Sequence, residues 1–210
     1  MTIRFCSPVI PDMDRVAYYL KDSFEKKHLS NFGPANRLLC EKLTEFLHLD
    51  SDRDIILTSS GHTALMAAYS ALGIRNLIVP TYTFKSTESA ATMQGIAVLH
   101  AEPNPKTGCL DQLPSNAYWN DGVVYVAALS TIPNLDKLPK NDKVVIDGAA
   151  TFGTPGIYNY GDAFCLSFHA TKSFPLGEGG AVISRPPTNE AIRSYINFGF
   201  DNDRNPIRIG

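Results

Sequence analysis

The sequence predicts an α/β fold, a mostly parallel β-sheet sandwiched by helices, in one domain of 210 residues. Three observations predict it. From Asp54 onward, short apolar runs of strand length alternate with segments of helical length. Each run is bounded by turn-forming residues, as in Thr58-Ser59-Ser60-Gly61 and Gly177-Glu178-Gly179-Gly180. Hydrophobic residues make up 44% of the chain and charged residues 19%, the balance of a globular protein long enough to bury a substantial core.

Residues 12–28 place Val16, Tyr19, Leu20 and Phe24 on one helical face and end in Lys26-Lys27-His28. Ser30–Pro34 breaks the chain. A second helix over 34–47 sets Leu38, Leu39, Leu43, Phe46 and Leu47 at helical spacing, which assigns them to the core. The alternating region then reads Ile55-Ile56-Leu57, a helix over 63–72, Leu77-Ile78-Val79, a helix over 86–93, and a strand over 96–99. Residues 102–121, rich in Pro, Asn, Asp and Gly, read as loop with a short helix. Strands follow over 123–129, 143–146 and 163–168, and the glycine run 177–180 turns into Ala181-Val182-Ile183. There is no internal repeat. The expected organisation is a single domain over 1–210, with N-terminal helices in 1–50 and the α/β core in 51–200.

Several functions are excluded by composition. No apolar run approaches the roughly 20 residues that span a bilayer, and MTIRFCSPVI lacks the apolar core of a secretory signal, so a cytoplasmic protein without membrane contact is expected. Net charge is −2 and the basic residues are scattered, which argues against a nucleic-acid partner and for small-molecule ligands. The four cysteines, Cys6, Cys40, Cys109 and Cys165, form no CxxC pair, so reduced thiols and no metal are expected.

Function in such a sheet belongs at the carboxyl ends of the strands. Phe164–Val182, FCLSFHATKSFPLGEGGAV, carries one lysine, Lys172, between a strand and a glycine-rich turn. In a partly desolvated crevice its amine would lose a proton more easily and attack an aldehyde; a solvated loop lysine is the plain alternative. Thr58-Ser59-Ser60-Gly61-His62-Thr63 joins a strand to a helix, suiting either an ordinary N-cap or a phosphate held by free N–H groups. Val79-Pro80-Thr81-Tyr82-Thr83-Phe84 ends in aromatics that either stack on a planar heterocycle or pack on the next helix. Val144-Val145-Ile146-Asp147 brings a carboxylate out of a buried strand, to cap a helix or to meet a cation such as a protonated pyridine. A lysine for an imine, an aspartate for a pyridinium, an aromatic face and a phosphate turn are together what pyridoxal 5'-phosphate requires.

The chain resembles the DegT/StrS-type nucleotide-sugar aminotransferases, which are fold type I pyridoxal phosphate enzymes, from about Leu29 to the last residue. The landmarks are SGHTALMAAYSALGI, IVPTYTFKSTESAATMQG, VVIDGAATFG and SFHATKSFPLGEGGAV. The resemblance implies that Lys172 forms the imine with the cofactor and that Asp147 pairs with the pyridine nitrogen. It also implies that Phe84 stacks on the ring and that Gly61, His62 and Ser167 hold the phosphate. Glu178 belongs to the last motif, where a structural role is expected.

Some positions depart from the family. His62 stands where threonine is usual, and Ala150 where glutamine or histidine is common near the phenolic oxygen. Ser130-Thr131 follows a strand that commonly leads into His-Leu-Tyr-Gly. Family members usually continue for well over a hundred further residues, so this chain reads as the fold type I large domain with the small C-terminal domain apparently missing. The implied function is amino transfer from an amino acid, glutamate by resemblance, to a nucleotide-linked keto-deoxysugar, in a homodimer. The alternatives are a non-catalytic or truncated homologue that binds cofactor or sugar nucleotide, and a related sugar dehydratase. The dehydratases typically carry histidine in place of the lysine.

Overall fold

A computed structural model describes residues 9–113, 122–127, 143–201 and 205–206. Two helices lead the chain, α1 (Met13–Glu25) and α2 (Pro34–Phe46). Asp12 caps α1 by accepting the Arg15 N–H at 3.0 Å, and Pro34 opens α2, where its fixed φ suits the first turn. The core then runs β1 (Asp54–Thr58), α3 (Gly61–Ala71), β2 (Asn76–Pro80), α4 (Lys85–Thr92), β3 (Ala97–Ala101), β4 (Gly122–Val126), β5 (Lys143–Asp147), β6 (Ala163–Ser167), β7 (Gly180–Ser184) and α5 (Thr188–Ile196).

The strands form one seven-stranded sheet in the order β1-β7-β6-β5-β4-β2-β3. Among the described strands only β7 runs against its neighbours; the other pairings are parallel, as the alternation of strand and helix predicts. Side chains along each strand alternate between two cores. Ile55, Ile78, Val123, Ile146, Phe164 and Ile183 pack with Leu43, Leu47 and Tyr158 on one face. Ile56, Leu77, Val79, Val145, Cys165 and Val182 pack with α3, α4 and α5 on the other. The sandwich is therefore real, with α3 its most enclosed helix: Ala64, Leu65, Ala67, Ala68 and Tyr69 are all buried.

Four expectations change. Phe46 is 60% exposed rather than core, because it lies at the end of α2 and stacks on Phe152 at 5.6 Å instead of entering the sheet interface. Tyr19 and Phe24 of α1 are exposed too, and the one buried residue of that helix is Ser23, whose Oγ accepts from Ala35 N at 3.0 Å. Residues 102–113 form turns and loop without a helix; the rest of that loop, and positions 128–129 of the expected fourth-strand extension, lie outside the described residues, as do Ser130, Thr131 and Cys6. Helix α5 adds an element that the sequence reading did not include. Cys109 and Cys165 are buried and Cys40 is partly buried.

Candidate active site

Asp147 ends β5 and is only 6% exposed. No helix follows it to be capped. Its Oδ1 accepts from Ala149 N at 3.2 Å and its Oδ2 from the Thr87 hydroxyl at 2.7 Å. Burial pushes the carboxyl above its ordinary pKa of 3.8, opposed by the Thr87 hydrogen bond, the Ala149 N–H and the charge of Lys172. Among the described residues no cation forms an ion pair with it. A buried carboxylate held by two donors and no counter-charge is costly to the fold.

That cost has a sign. Because the folded-state pKa is raised, the folded protein binds more protons than the unfolded chain above pH 3.8, and stability falls as pH rises through the window up to the raised value. Asp147→Asn can still accept from Ala149 N through its amide oxygen and donate to Thr87 Oγ1 through its NH2, with that bond reversed, and it removes the charge. Without cofactor, the variant is expected to melt about 2–4 °C above the parent at pH 8, corresponding to about 1 kcal/mol, and level with it at pH 4. Thermal melts followed by circular dichroism at the two pH values check this; a lower melting point at pH 8 contradicts it.

Lys172 lies in the connection between β6 and β7, half-buried, with its backbone N–H on the His169 carbonyl at 2.9 Å. The connection is pinned at both ends. Phe168 N donates to Gly179 O, Ala170 N to Gly177 O and Leu176 N to Phe168 O, each at 2.9 Å. Beneath it Phe174 stacks on Phe152 at 4.3 Å and meets Phe168 edge-on at 5.6 Å. The Lys172 ammonium stands 6.0 Å from the centroid of Phe84, whose ring is 78% exposed. Phe84 therefore does not pack on the following helix. Glu178, also exposed, faces His169 at 3.6 Å across the base of the same connection.

The third group is the start of α3. Ser60 caps the helix through Oγ, which accepts from Thr63 N at 3.1 Å, and the first turn carries no acidic side chain. The N–H groups of Gly61 and His62 precede the first intrahelical bond, from Ala64 N to Ser60 O, and are thus presented at the positive end of the helix. Gly61 is pressed against Ser167: a Cβ there would stand 2.8 Å from the Ser167 Cβ. Gly180 pairs with both Thr58 and Ser167, and a Cβ on it would strike the Ser60 carbonyl, so two glycines let the helix start rest on the strand ends. His62 Nδ1 meets Ser86 Oγ at 2.7 Å, tying α3 to α4.

The predicted residues thus fall into contacts: Gly61 with Ser167, Lys172 facing Phe84, His62 bound to α4, and Asp147 reached from α4 by Thr87. Sequence reasoning missed Thr87, Thr83, Ser86 and Tyr69. One signal for Thr87 was present: it shares the buried face of α4 with Ala90 and Ala91, and a hydroxyl on a buried face requires a partner. A surface hollow between α2 and α5, lined by Asn36, Arg37, Cys40, Arg193 and Phe198, contains none of the predicted site residues.

The profile of the DegT/DnrJ/EryC1/StrS aminotransferase family matches residues 12–208. The chain belongs to this family. It is 30% identical to a dTDP-4-amino-4,6-dideoxy-D-glucose transaminase of Shigella dysenteriae, over 97% of this chain and 58% of that protein. The crystal structure of DesI in the presence of its TDP-sugar product is 28% identical, with a TM-score of 0.78, over 93% of this chain and 53% of that one. NtdA from Bacillus subtilis, solved with bound cofactor PMP, shares the fold at a TM-score of 0.79 and 24% identity, over 100% of this chain and 52% of that one. The chain spans a little over half the length of each of these relatives. Its mostly parallel, helix-covered sheet is that of the fold type I aminotransferases.

Proposed function

We propose that the chain is the cofactor-binding large domain of a pyridoxal phosphate-dependent aminotransferase that moves an amino group from an amino acid to a nucleotide-linked keto-deoxysugar. The observation that carries this reading is the buried carboxylate of Asp147, which among the described residues forms no ion pair, at a strand end whose neighbouring turn presents Lys172 toward the exposed Phe84. The residues fit the cofactor. A protonated pyridine nitrogen is a cation that could pair with Asp147, and the Gly61 and His62 N–H groups head a helix with no acid in its first turn.

Pyridoxal phosphate supplies an aldehyde that condenses with amines and a ring that takes up the electrons of a carbanion. Lys172 is assigned the nucleophilic amine and the base that would take the proton from the α-carbon of the amino donor. Asp147 keeps a proton on the ring nitrogen through its negative charge. Phe84 offers an aromatic face, and Gly61, His62 and Ser167 hold the phosphate. Glutamate as donor and a homodimer that completes the site are what the family resemblance implies, and a cytoplasmic location is proposed with them. Among the described residues no helix is long and apolar enough to cross a membrane.

A second reading, a homologue that binds cofactor or sugar nucleotide without turnover, is favoured by one observation. The His62 imidazole is engaged with Ser86 at the position where the family usually supplies a threonine hydroxyl. The lysine at 172 speaks against the dehydratase branch. The two remaining readings separate when the protein is incubated with pyridoxal phosphate, ¹⁵N-glutamate and dTDP-linked 4-keto-6-deoxyglucose, and the sugar is weighed by mass spectrometry. A gain of the label supports amino transfer; bound cofactor with no label in the sugar supports the second reading and overturns the first.

A further inference from the structure

We propose that Thr87 is the positioning residue that keeps the Asp147 carboxylate charged and fixes its orientation, with the Thr83 hydroxyl polarising it from behind. The consequence for a ring nitrogen rests on the cofactor reading above; the coupling of Thr87 to Asp147 does not.

Thr87 is fully buried and touches three parts of the site. Its hydroxyl donates to Asp147 Oδ2 at 2.7 Å. Its backbone N–H holds the Phe84 carbonyl at 3.0 Å, and its own carbonyl accepts from the hydroxyl of Tyr69, itself buried, at 3.1 Å. The Thr87 hydroxyl also lies 2.7 Å from Thr83 Oγ1. A hydroxyl has one proton to give. With Asp147 ionised, Thr87 must donate to it, so Thr83 must donate to Thr87, and the chain runs Thr83 to Thr87 to Asp147. Such an aligned pair of hydroxyls strengthens the bond to the carboxylate.

The competing influences are few. Tyr69 on α3 and Cys165 on β6 also face Asp147, and both thiol and phenol are driven by burial, and then by the Asp147 charge, well above their ordinary pKa values. They stay neutral and supply no positive charge. Lys172 is the cation that favours the carboxylate, and it forms no ion pair with it. Removing the Thr87 hydroxyl leaves Oδ2 buried with no donor, which favours the protonated acid. A neutral acid no longer holds a proton on the pyridine nitrogen.

The test uses Thr87→Val, which keeps the shape, Thr87→Ser, which keeps the hydroxyl, and Thr83→Val, which removes the second link. In protein free of cofactor, the ¹³Cγ resonance of Asp147, assigned by its absence in Asp147→Asn, is followed against pH. Thr87→Val is expected to raise the titration midpoint by about one pH unit or more, Thr83→Val by less in the same direction, and Thr87→Ser by almost nothing. A midpoint in Thr87→Val equal to the parent's overturns the proposal. If that variant does not fold, an unshifted midpoint in Thr83→Val does so. In cofactor-loaded protein the ring ¹⁵N signal is expected to move toward the unprotonated form in Thr87→Val and to be restored in Thr87→Ser. A parent that binds no pyridoxal phosphate refutes the cofactor reading alone, because the cofactor-free titration still decides the role of Thr87.

Discussion

Lys172→Ala is expected to abolish the visible absorption band of the pyridoxal phosphate-loaded protein and to lower amino transfer by about 10⁴-fold or more. The size follows from the two duties assigned to one amine, nucleophile toward the cofactor's aldehyde and base at the donor's α-carbon, for which the two described candidates are otherwise engaged. His169 and Lys85 are the tempting substitutes. The first is engaged with Thr171 at 2.9 Å and faces Glu178, and the second is paired with Glu88 at 2.7 Å. Folding is not at stake: the Lys172 side chain is half-buried, and the backbone bond from residue 172 to His169 survives the substitution. Unchanged circular dichroism with a lost band is the expected pair of results. A retained band, or a loss of turnover smaller than about tenfold, removes Lys172 from its assigned role.

Asp147→Asn is expected to lower turnover by roughly 10²-fold or more, while cofactor binding is partly kept. An amide accepts from Ala149 N and donates to Thr87 Oγ1, with the latter bond reversed, but offers no charge to hold a proton on the ring nitrogen, so the ring would accept electrons poorly. The same substitution is expected to raise the melting point of the cofactor-free protein at pH 8. The opposite directions matter, because a merely structural residue would lose both stability and activity. A buried charge that destabilises the fold and serves the reaction is the familiar trade between stability and function. Near-parental turnover in Asp147→Asn contradicts the role.

Much of this architecture is legible in the sequence because it is periodic. Ile55-Ile56-Leu57 and Leu77-Ile78-Val79 are strands, and the helical segment α4 between β2 and β3 carries the chain back so that those two pair in parallel. The direction of β7 is not legible: Gly180–Ser184 is a short apolar run, and its antiparallel pairing depends on how the Lys172 connection folds back. Phe46 misleads because helical spacing names a face without saying how far that face is covered. Candidate residues separated by more than a hundred positions, such as Gly61 and Ser167, are placed together by resemblance and brought into contact by the two glycines at the strand ends. Thr87 escapes because its partner is 60 residues away: its spacing with Ala90 and Ala91 marks a buried face but does not name the acceptor. Which alternative holds for Phe84 is likewise a matter of tertiary structure, since a ring after a strand looks the same whether it packs or waits.

The central claim is that this strand-end site binds pyridoxal phosphate through Lys172 and exchanges it with an amino donor. The most direct measurement is the absorbance spectrum of the purified protein with pyridoxal phosphate, before and after glutamate is added. A protein-bound visible band that fades with glutamate is the predicted result. The absence of such a band in cofactor-saturated protein would contradict the account.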